Sequence, residues 1–240
     1  MITASWLVLA ASVVAERVKP ATTLPHVKGW AWRSRFFVAL EFVAVVFALL
    51  LCAAIHYWSG IGSLFELRDA SFTTQVGVNF LLSTCVFYWW HRVRHNNDFL
   101  WRATHQFHHS PRRIETITAF YKHPTEVLLD TCLNFALSFL LLGVSVEAFL
   151  AHTACIACSQ FFVHMNVATP RWVGYIIQRP EMHRIHHESG VHQNNYADLP
   201  LWDILFGTFR NPARVKLDCG FTSDQEARVL DMLTCKDIHK

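Results

Sequence analysis

The sequence predicts an all-α integral membrane protein: a bundle of about four transmembrane helices, a short N-terminal hydrophobic helix, and a helical cap that carries a histidine-rich di-metal site. Hydrophobic residues make up 52% of the 240 residues and charged residues only 16%, which is more apolar than most soluble domains. Several apolar stretches have the length of a membrane span. The chain also contains 15 histidines, many of them clustered between those stretches. This composition excludes a disordered chain or a nucleic-acid-binding tail.

The transmembrane helices follow from the need for about 20 mostly apolar residues to cross a bilayer. Residues 36–58 and 72–90 each come close to this length. Residues 127–164 are long enough for two passes. This last stretch therefore predicts a helical hairpin that turns near residues 143–146.

The N-terminal run at residues 2–15 is apolar but short for a complete span. Its length also fits the core of a secretory signal, although such a signal normally opens with basic residues. No Lys or Arg precedes Arg17, and cleavage would carry the basic segment 16–35 across the membrane. We therefore expect an uncleaved first helix that is tilted or lies at the membrane interface.

Basic residues predict which side of the membrane holds the cap. If residues 2–15 count as a pass, the loops at 16–35, 91–126 and 165–240 lie on one side, and they contain 20 of the 21 Lys and Arg residues. The positive-inside rule assigns that side to the cytoplasm. The cap, built from the second and third of these loops, is therefore predicted to be cytoplasmic.

Eight histidines fall into three sets at helical spacing. The sets are His91 and His95; His105, His108 and His109; and His183, His186 and His187. Residues three and four apart lie near one face of a helix, so we expect each set to present its rings together. Uniform scatter would place about one histidine in a 19-residue window, whereas residues 91–109 contain five. A solvated helix face explains one histidine pair, but it does not explain three such sets.

Clustered imidazoles of this kind indicate metal binding. Protonated rings would repel one another, whereas neutral rings can donate lone pairs to a metal. A single tetrahedral zinc needs four ligands, so eight or more nitrogens predict two metal ions with open positions for a small molecule such as dioxygen. The spacing does not identify the metal, because zinc and copper bind imidazole as iron does.

Other chemistries have weaker support in the sequence. It contains no H-E-x-x-H, no G-x-S-x-G and no phosphate-binding glycine loop. A haem bundle needs only two axial histidines, and a metal transporter would hold its ligands near the bilayer midplane. The alternatives that stay open are a zinc-dependent membrane enzyme without redox chemistry and a metal- or haem-binding electron carrier or transporter.

Six ordered elements between residues 75 and 210 resemble the membrane-bound fatty acid hydroxylase and sterol desaturase superfamily. They are H-R-x-x-H at 91–95, H-x-x-H-H at 105–109, H-P-x-E at 123–126, H-x-N at 164–166, P-E-M-H-R-I-H-H at 180–187 and N-Y-A-D-L-P-L-W-D-I-L-F-G-T-F at 195–209. One departure is Ala197, where the family often has glycine after Asn-Tyr. This change restricts the backbone but leaves the polar side chains in place.

The resemblance implies a non-haem di-iron enzyme that uses O2 and two electrons to hydroxylate or desaturate a lipid. The implied ligands are His91, His95, His105, His108, His109, His164, His183, His186 and His187. Further ligands, or residues that orient ligands, are His123, His192, Asn166, Glu126 and Asp203. Of these, His123 is expected to orient rather than to ligate, because the following Pro124 breaks helical spacing.

The resemblance also implies partners and a division of the chain. The cofactors would be two Fe ions, with O2 as co-substrate. Electrons would come from a separate cytochrome-type or ferredoxin-type protein and its reductase, and the substrate would be a membrane lipid, with no nucleic acid involved. We expect N-terminal membrane segments at 1–74, the catalytic domain at 75–210 and a cytoplasmic tail at 211–240.

Overall fold

The structure is a computed structural model that describes residues 2–239, with side chains from Ser5 onward. Within residues 2–239 the chain forms helices and loops and no β-strand, apart from an isolated bridge between Glu188 and Cys219. The prediction of an all-α fold is confirmed.

The chain begins with three helices, α1 (Ile2–Val18), α2 (Trp30–Ser59) and α3 (Phe72–Asn96). Helix α2 leaves large apolar side chains such as Phe42 and Leu50 exposed, as a helix surrounded by lipid does. Helix α3 differs because it buries polar side chains, among them Asn79 and Ser83, against the rest of the bundle.

An irregular helical segment follows α3 and forms the first part of the cap. It consists of α4 (Asp98–Leu100), a π-helical turn (Trp101–His105), α5 (Gln106–His109) and a 3-10 helix (Thr116–Phe120). π-helical turns are rare and occur frequently at functional sites. Every residue of α5 is buried, so the polar histidines of this segment lie inside the protein.

The predicted helical hairpin is present. Helix α6 (Pro124–Phe135) continues as a π-helix (Ala136–Leu141), and α7 (Val146–His164) returns through the bundle. The turn between them requires Gly143, whose φ is 61° and whose position leaves no room for a Cβ beside the Phe65 carbonyl oxygen. Ser145 then caps α7 by accepting a hydrogen bond from the Ala148 N–H.

The remaining helices complete the cap. They are a 3-10 helix (Arg171–Tyr175), α8 (Pro180–His186), α9 (Pro200–Leu205), α10 (Ser223–Ala227) and α11 (Val229–Leu233). The C-terminal segment folds back over α5, because Met232 and Ile238 pack in one buried cluster with Phe107. The Gln106 side chain also donates a 2.7 Å hydrogen bond to the Lys236 carbonyl oxygen.

Among residues 2–239, three helical segments have the length and apolar composition of membrane spans. They are Trp30–Ser59, Pro124–Leu141 and Val146–His164. Helix α3 has 25 residues but is less apolar, because its buried face is polar. The expectation that α3 also crosses the membrane, which would make four spans, stays a prediction.

Candidate metal centre

The nine predicted ligand histidines come together in two groups. The first histidine group contains His91, His95, His105, His109 and His186, and the second contains His108, His164, His183 and His187. Within each group, one ring nitrogen from every member lies within 4.8 Å of those of all the others. The four helical elements that supply these side chains are the end of α3, the segment 105–109, the end of α7, and α8 with the residue that follows it.

Each H-x-x-H-H motif divides its histidines between the two groups. In the first motif, His105 and His109 join the first group while His108 joins the second. In the later motif, only the middle histidine, His186, joins the first group. Adjacent residues of a helix point about 100° apart, so neighbouring histidines reach different groups. The expectation that each set presents its rings together therefore holds only for the pairs four residues apart.

Hydrogen bonds fix the tautomer of five of these rings. In each of them the Nδ1–H group donates a hydrogen bond to an oxygen. The pairs are His91 with Tyr196 O (2.7 Å), His105 with Glu126 Oε1 (2.8 Å), His108 with Tyr121 O (3.2 Å), His164 with Gln160 O (2.8 Å) and His186 with Asn194 O (2.8 Å). A carbonyl or carboxylate oxygen can only accept, so each ring carries its proton on Nδ1 when neutral. Its Nε2 is then an unprotonated lone pair.

These bare Nε2 atoms face one another at short range. His91 Nε2 lies 2.8 Å from His105 Nε2 in the first group, and His108 Nε2 lies 3.4 Å from His164 Nε2 in the second. Two acceptors cannot hydrogen-bond to each other, and their lone pairs repel. A cation bound between them removes the repulsion. The Nε2 lone pairs of each group are therefore suited to bind one metal ion.

Burial keeps the rings in the form that binds metal. Loss of hydration lowers the pKa of the clustered histidines of the cap, and positive charge on neighbouring groups lowers it further. The residues affected are His105, His108, His109, His183, His186 and His187. The pKa of His186 falls to about 3. Neutral imidazoles are therefore available at neutral pH without the loss of a proton.

Among the described residues, Glu126 is the carboxylate that hydrogen-bonds to an imidazole of the two groups. Its Oε1 accepts from His105 Nδ1 at 2.8 Å and from Arg94 Nη1 at 2.7 Å, and all three side chains are buried. A carboxylate on the far nitrogen of a ligand orients the ring and increases its basicity. The sequence placed Glu126 among the candidates through the H-P-x-E element, but only the fold brings it to His105.

Asp203 acts on the first group through the backbone. Its carboxylate accepts hydrogen bonds from the amide N–H groups of Tyr196 and Ala197, at 2.8 and 3.0 Å. These contacts hold the segment whose Tyr196 carbonyl oxygen accepts from His91 Nδ1. Asp203 itself has no hydrogen bond to an imidazole in the described part of the chain.

A loop with left-handed backbone conformation borders the first group. His192, Asn194 and Asn195 have φ values of 46°, 67° and 50°, a region that asparagine tolerates better than most residues. The Asn194 carbonyl oxygen accepts from His186 Nδ1, and His192 Nδ1 lies 3.1 Å from His109 Nδ1. His192 is thus adjacent to the first group rather than a member of it. The sequence analysis missed Asn194, for which the Asn-rich loop was the one available signal.

Two further candidates lie outside both groups. His123 uses both ring nitrogens elsewhere, Nδ1 with Thr125 Oγ1 at 2.6 Å and Nε2 with the Leu233 carbonyl oxygen at 3.2 Å. Asn166 accepts from Arg184 Nη2 at 2.9 Å through its Oδ1. Both residues connect parts of the cap and have no hydrogen bond to the grouped imidazoles.

A cavity of about 290 Å³ extends from the histidines into the helical bundle. His91, His105, His108 and His183 line it at the cap. On α7 the lining residues are Phe149, His152, Thr153, Ile156, Ala157, Gln160 and Phe161, a stripe on one face of the helix. This stripe covers twelve residue steps, which is about 18 Å of helix. A long cavity with mostly apolar walls suits an alkyl chain.

Comparison with known proteins gives a family match and several relatives. Residues 76–208, more than half of the chain, match the fatty acid hydroxylase family. An alkylglycerol monooxygenase from Danio rerio is 30% identical over 176 residues, which cover 72% of this chain and 38% of that protein. No solved structure matches the chain.

Two other relatives act on different lipids according to their names. An ornithine lipid hydroxylase from Rhizobium tropici is 33% identical over 156 residues, covering 62% of this chain and 46% of that protein. A sphinganine C4-monooxygenase from Arabidopsis thaliana is 28% identical over 126 residues, covering 51% and 48%. The chain thus spans less than half the length of each of these relatives.

Proposed function

The chain belongs to the fatty acid hydroxylase family, and from this membership we propose that it is a membrane di-iron oxygenase that uses O2 and two electrons to hydroxylate or desaturate a lipid. One observation carries the proposal: within each of two adjacent histidine groups, bare Nε2 lone pairs face one another. The relatives named as lipid hydroxylases or monooxygenases support a lipid substrate.

In this proposal each histidine group holds one iron. The first iron would be bound by His91, His95, His105, His109 and His186, and the second by His108, His164, His183 and His187. The two irons would supply the reductive activation of O2 that oxidation of an unactivated C–H bond requires. Glu126 orients His105, and the carbonyl oxygens of the surrounding loops hold the other rings in their metal-binding tautomer.

The protein's own contribution would be to align one carbon of the lipid with the metals and to exclude water. The cavity supports this role, because it begins at His108 and His183 and continues along apolar side chains of the membrane helices, such as Leu49 and Val127. An alkyl chain bound there would gain hydrophobic stabilisation along its whole length.

We further propose that the cap faces the cytoplasm and receives electrons from a separate cytochrome-type or ferredoxin-type protein. The positive charge of the cap loops supports both parts, since cytoplasmic loops are rich in Lys and Arg and an acidic donor would be attracted to them. Ser223 is exposed at the start of α10 in the cap. Attachment of a membrane-impermeant thiol reagent to Ser223→Cys in intact cells and in opened cells tests the orientation. Labelling in opened cells only is the expected result.

Metal analysis of the purified protein tests the main proposal. Protein from iron-supplemented cells should contain about two irons per chain, and Mössbauer spectra should resolve them. The variant His108→Ala should lose iron, whereas His26→Ala, which changes an exposed histidine outside both groups, should keep it.

Oxygen consumption then distinguishes the proposed oxygenase from a zinc-dependent enzyme without redox chemistry. Iron-loaded protein with a reductant should consume O2 when the correct lipid is present. Zinc that persists after anaerobic iron reconstitution, without oxygen uptake, would contradict the proposal and favour a zinc-dependent enzyme.

A further inference from the structure

His152 is a polar residue in the membrane part of the cavity that the metal site does not use. It lies in the span α7, is completely buried, and lines the cavity together with Phe149 and Ile156. Ionisable side chains inside membrane spans are rare, and they usually have a specific partner or a function. Its position twelve residues before His164 corresponds to about 18 Å along the helix, so His152 cannot reach either histidine group.

Only one tautomer of His152 allows Ser83 to form hydrogen bonds both with the His152 ring and with the Phe80 carbonyl oxygen. Ser83 Oγ lies 2.7 Å from His152 Nε2 and 3.1 Å from the Phe80 carbonyl oxygen. A hydroxyl has one proton, and helical serines commonly donate it to a carbonyl of the preceding turn. If Ser83 donates to Phe80, then His152 must donate from Nε2 to Ser83. Both contacts are then hydrogen bonds, and Nδ1 is left as a bare acceptor.

This Nδ1 has no hydrogen-bond partner among the described residues. A buried acceptor without a partner is destabilising, and inside a bilayer no bulk water compensates it. The Asn134 Oδ1 is in the same situation and lines the same cavity. Hydrogen-bond acceptors that lack a partner in a cavity gain one when a bound molecule supplies a hydrogen-bond donor.

Resting on the proposed function, we infer that His152 recognises a hydroxyl or amide N–H group of the lipid substrate through Nδ1. The recognised group would lie about 18 Å from the carbon that is oxidised. A simple hydrocarbon end would leave Nδ1 unmatched, so the favoured substrate class is a lipid with a hydrogen-bond donor at this distance. His152 is then a specificity-determining residue that distinguishes donor-bearing lipids from plain chains.

A competition between two matched lipids tests this recognition. Hexadecan-1-ol has a hydroxyl donor, whereas hexadecyl methyl ether retains the oxygen but has no donor. The iron-loaded, detergent-solubilised protein is mixed with both at equal concentration, and native mass spectrometry measures the ratio of the two bound species. Wild type should favour the alcohol about 3- to 10-fold relative to His152→Phe, which is the effect of one hydrogen bond of ordinary strength.

Variants on both sides of His152 sharpen the test. His152→Gln keeps an acceptor and should retain part of the preference, and Ser83→Ala should weaken it because the tautomer is no longer fixed. His56→Phe makes the same change in α2 outside the cavity and should behave as wild type. If His152→Phe loses its iron, Ser83→Ala provides the comparison in its place.

The outcomes also distinguish this inference from the proposed function. Equal alcohol-to-ether ratios in wild type, His152→Phe and Ser83→Ala would overturn the recognition by His152, even if the enzyme oxidises a lipid. A preference that disappears in His152→Phe and persists in His152→Gln supports it, because the readout is bound mass and not oxygen consumption.

Discussion

The two histidine groups differ in the number of their ligands and in what surrounds them. The first group has five histidines, and one of them donates to the Glu126 carboxylate. The second has four, all buried, and the Nδ1 groups of His108 and His164 contact backbone carbonyls only. Two metals bound here would therefore be inequivalent: the first would have a spare ligand and a carboxylate hydrogen-bonded to one of its rings, and the second would have neither.

Removal of one histidine should weaken iron binding more in the second group than in the first. His183→Ala leaves three histidines in the second group, so we expect loss of about one iron per chain and loss of oxygen consumption. His95→Ala leaves four histidines in the first group, enough for a complete tetrahedral set. That variant should keep both irons with weaker binding. Iron content and Mössbauer spectra of the two variants provide the measurement, and equal iron loss in both would show that the groups are equivalent.

Acid should destabilise the folded protein through a property that both histidine groups share, the burial of their rings. Burial lowers the pKa of these histidines below the value of about 6.5 in an unfolded chain. Well above pH 6.5 the histidines are neutral in both states and stability is nearly constant. Below pH 6.5 the histidines of the unfolded chain bind protons, whereas the buried histidines of the folded protein stay neutral. The free energy of unfolding therefore falls as the pH decreases towards the folded pKa values. At pH 5.5 each such histidine should cost on the order of 1 kcal/mol.

The thermal unfolding midpoint of the metal-free protein measures this effect. It should fall less between pH 7.5 and 6.5 than between pH 6.5 and 5.5, where the fall should be about 2–4 °C for each buried histidine. His105→Gln in the first group and His183→Gln in the second should reduce the acid sensitivity to the same degree. A midpoint that is the same at pH 5.5 and 7.5 would contradict the burial argument.

Replacing the carboxylate should weaken the first group selectively. Glu126→Gln removes the charge that His105 Nδ1 donates to, and partners of this kind affect metal affinity by about 10- to 100-fold. We expect the larger value, since the lost bond is charge-assisted. Glu181→Gln is the matched control, because Glu181 pairs with Arg179 and has no imidazole contact. Competition with a metal chelator should show a loss at one iron only; equal loss at both irons would argue against a local role.

The smallest expected effect is at the edge of the first group. His192→Ala removes the ring beside His109 Nδ1, and iron affinity should fall about tenfold, the lower end of the range for groups that orient metal ligands. Affinity at the second iron should stay unchanged. If the variant loses one iron completely, His192 is a ligand and the first group has six members.

The sequence by itself determined the local features. The all-α class, the hairpin that turns near Gly143 and eight clustered histidines could be read from it, because helical periodicity and the length of a membrane span depend on neighbouring residues. His164 was implied only by the family resemblance. The H-x-x-H-H spacing correctly predicted that the histidines four residues apart act together, since such residues lie near one face of a helix. The same spacing wrongly predicted that the remaining histidine of each motif joins them.

Only the tertiary structure decided how the histidines divide and what orients them. Neighbours such as His108 and His109 separate because their side chains, about 100° apart on one helix, meet different parts of the chain. Glu126 reaches His105 across 21 residues, whereas His123 of the same element turns away to Leu233. The bare acceptor of His152 likewise depends on Ser83, 69 residues earlier in the chain. Such contacts between distant residues follow from packing, which periodicity and spacing do not encode.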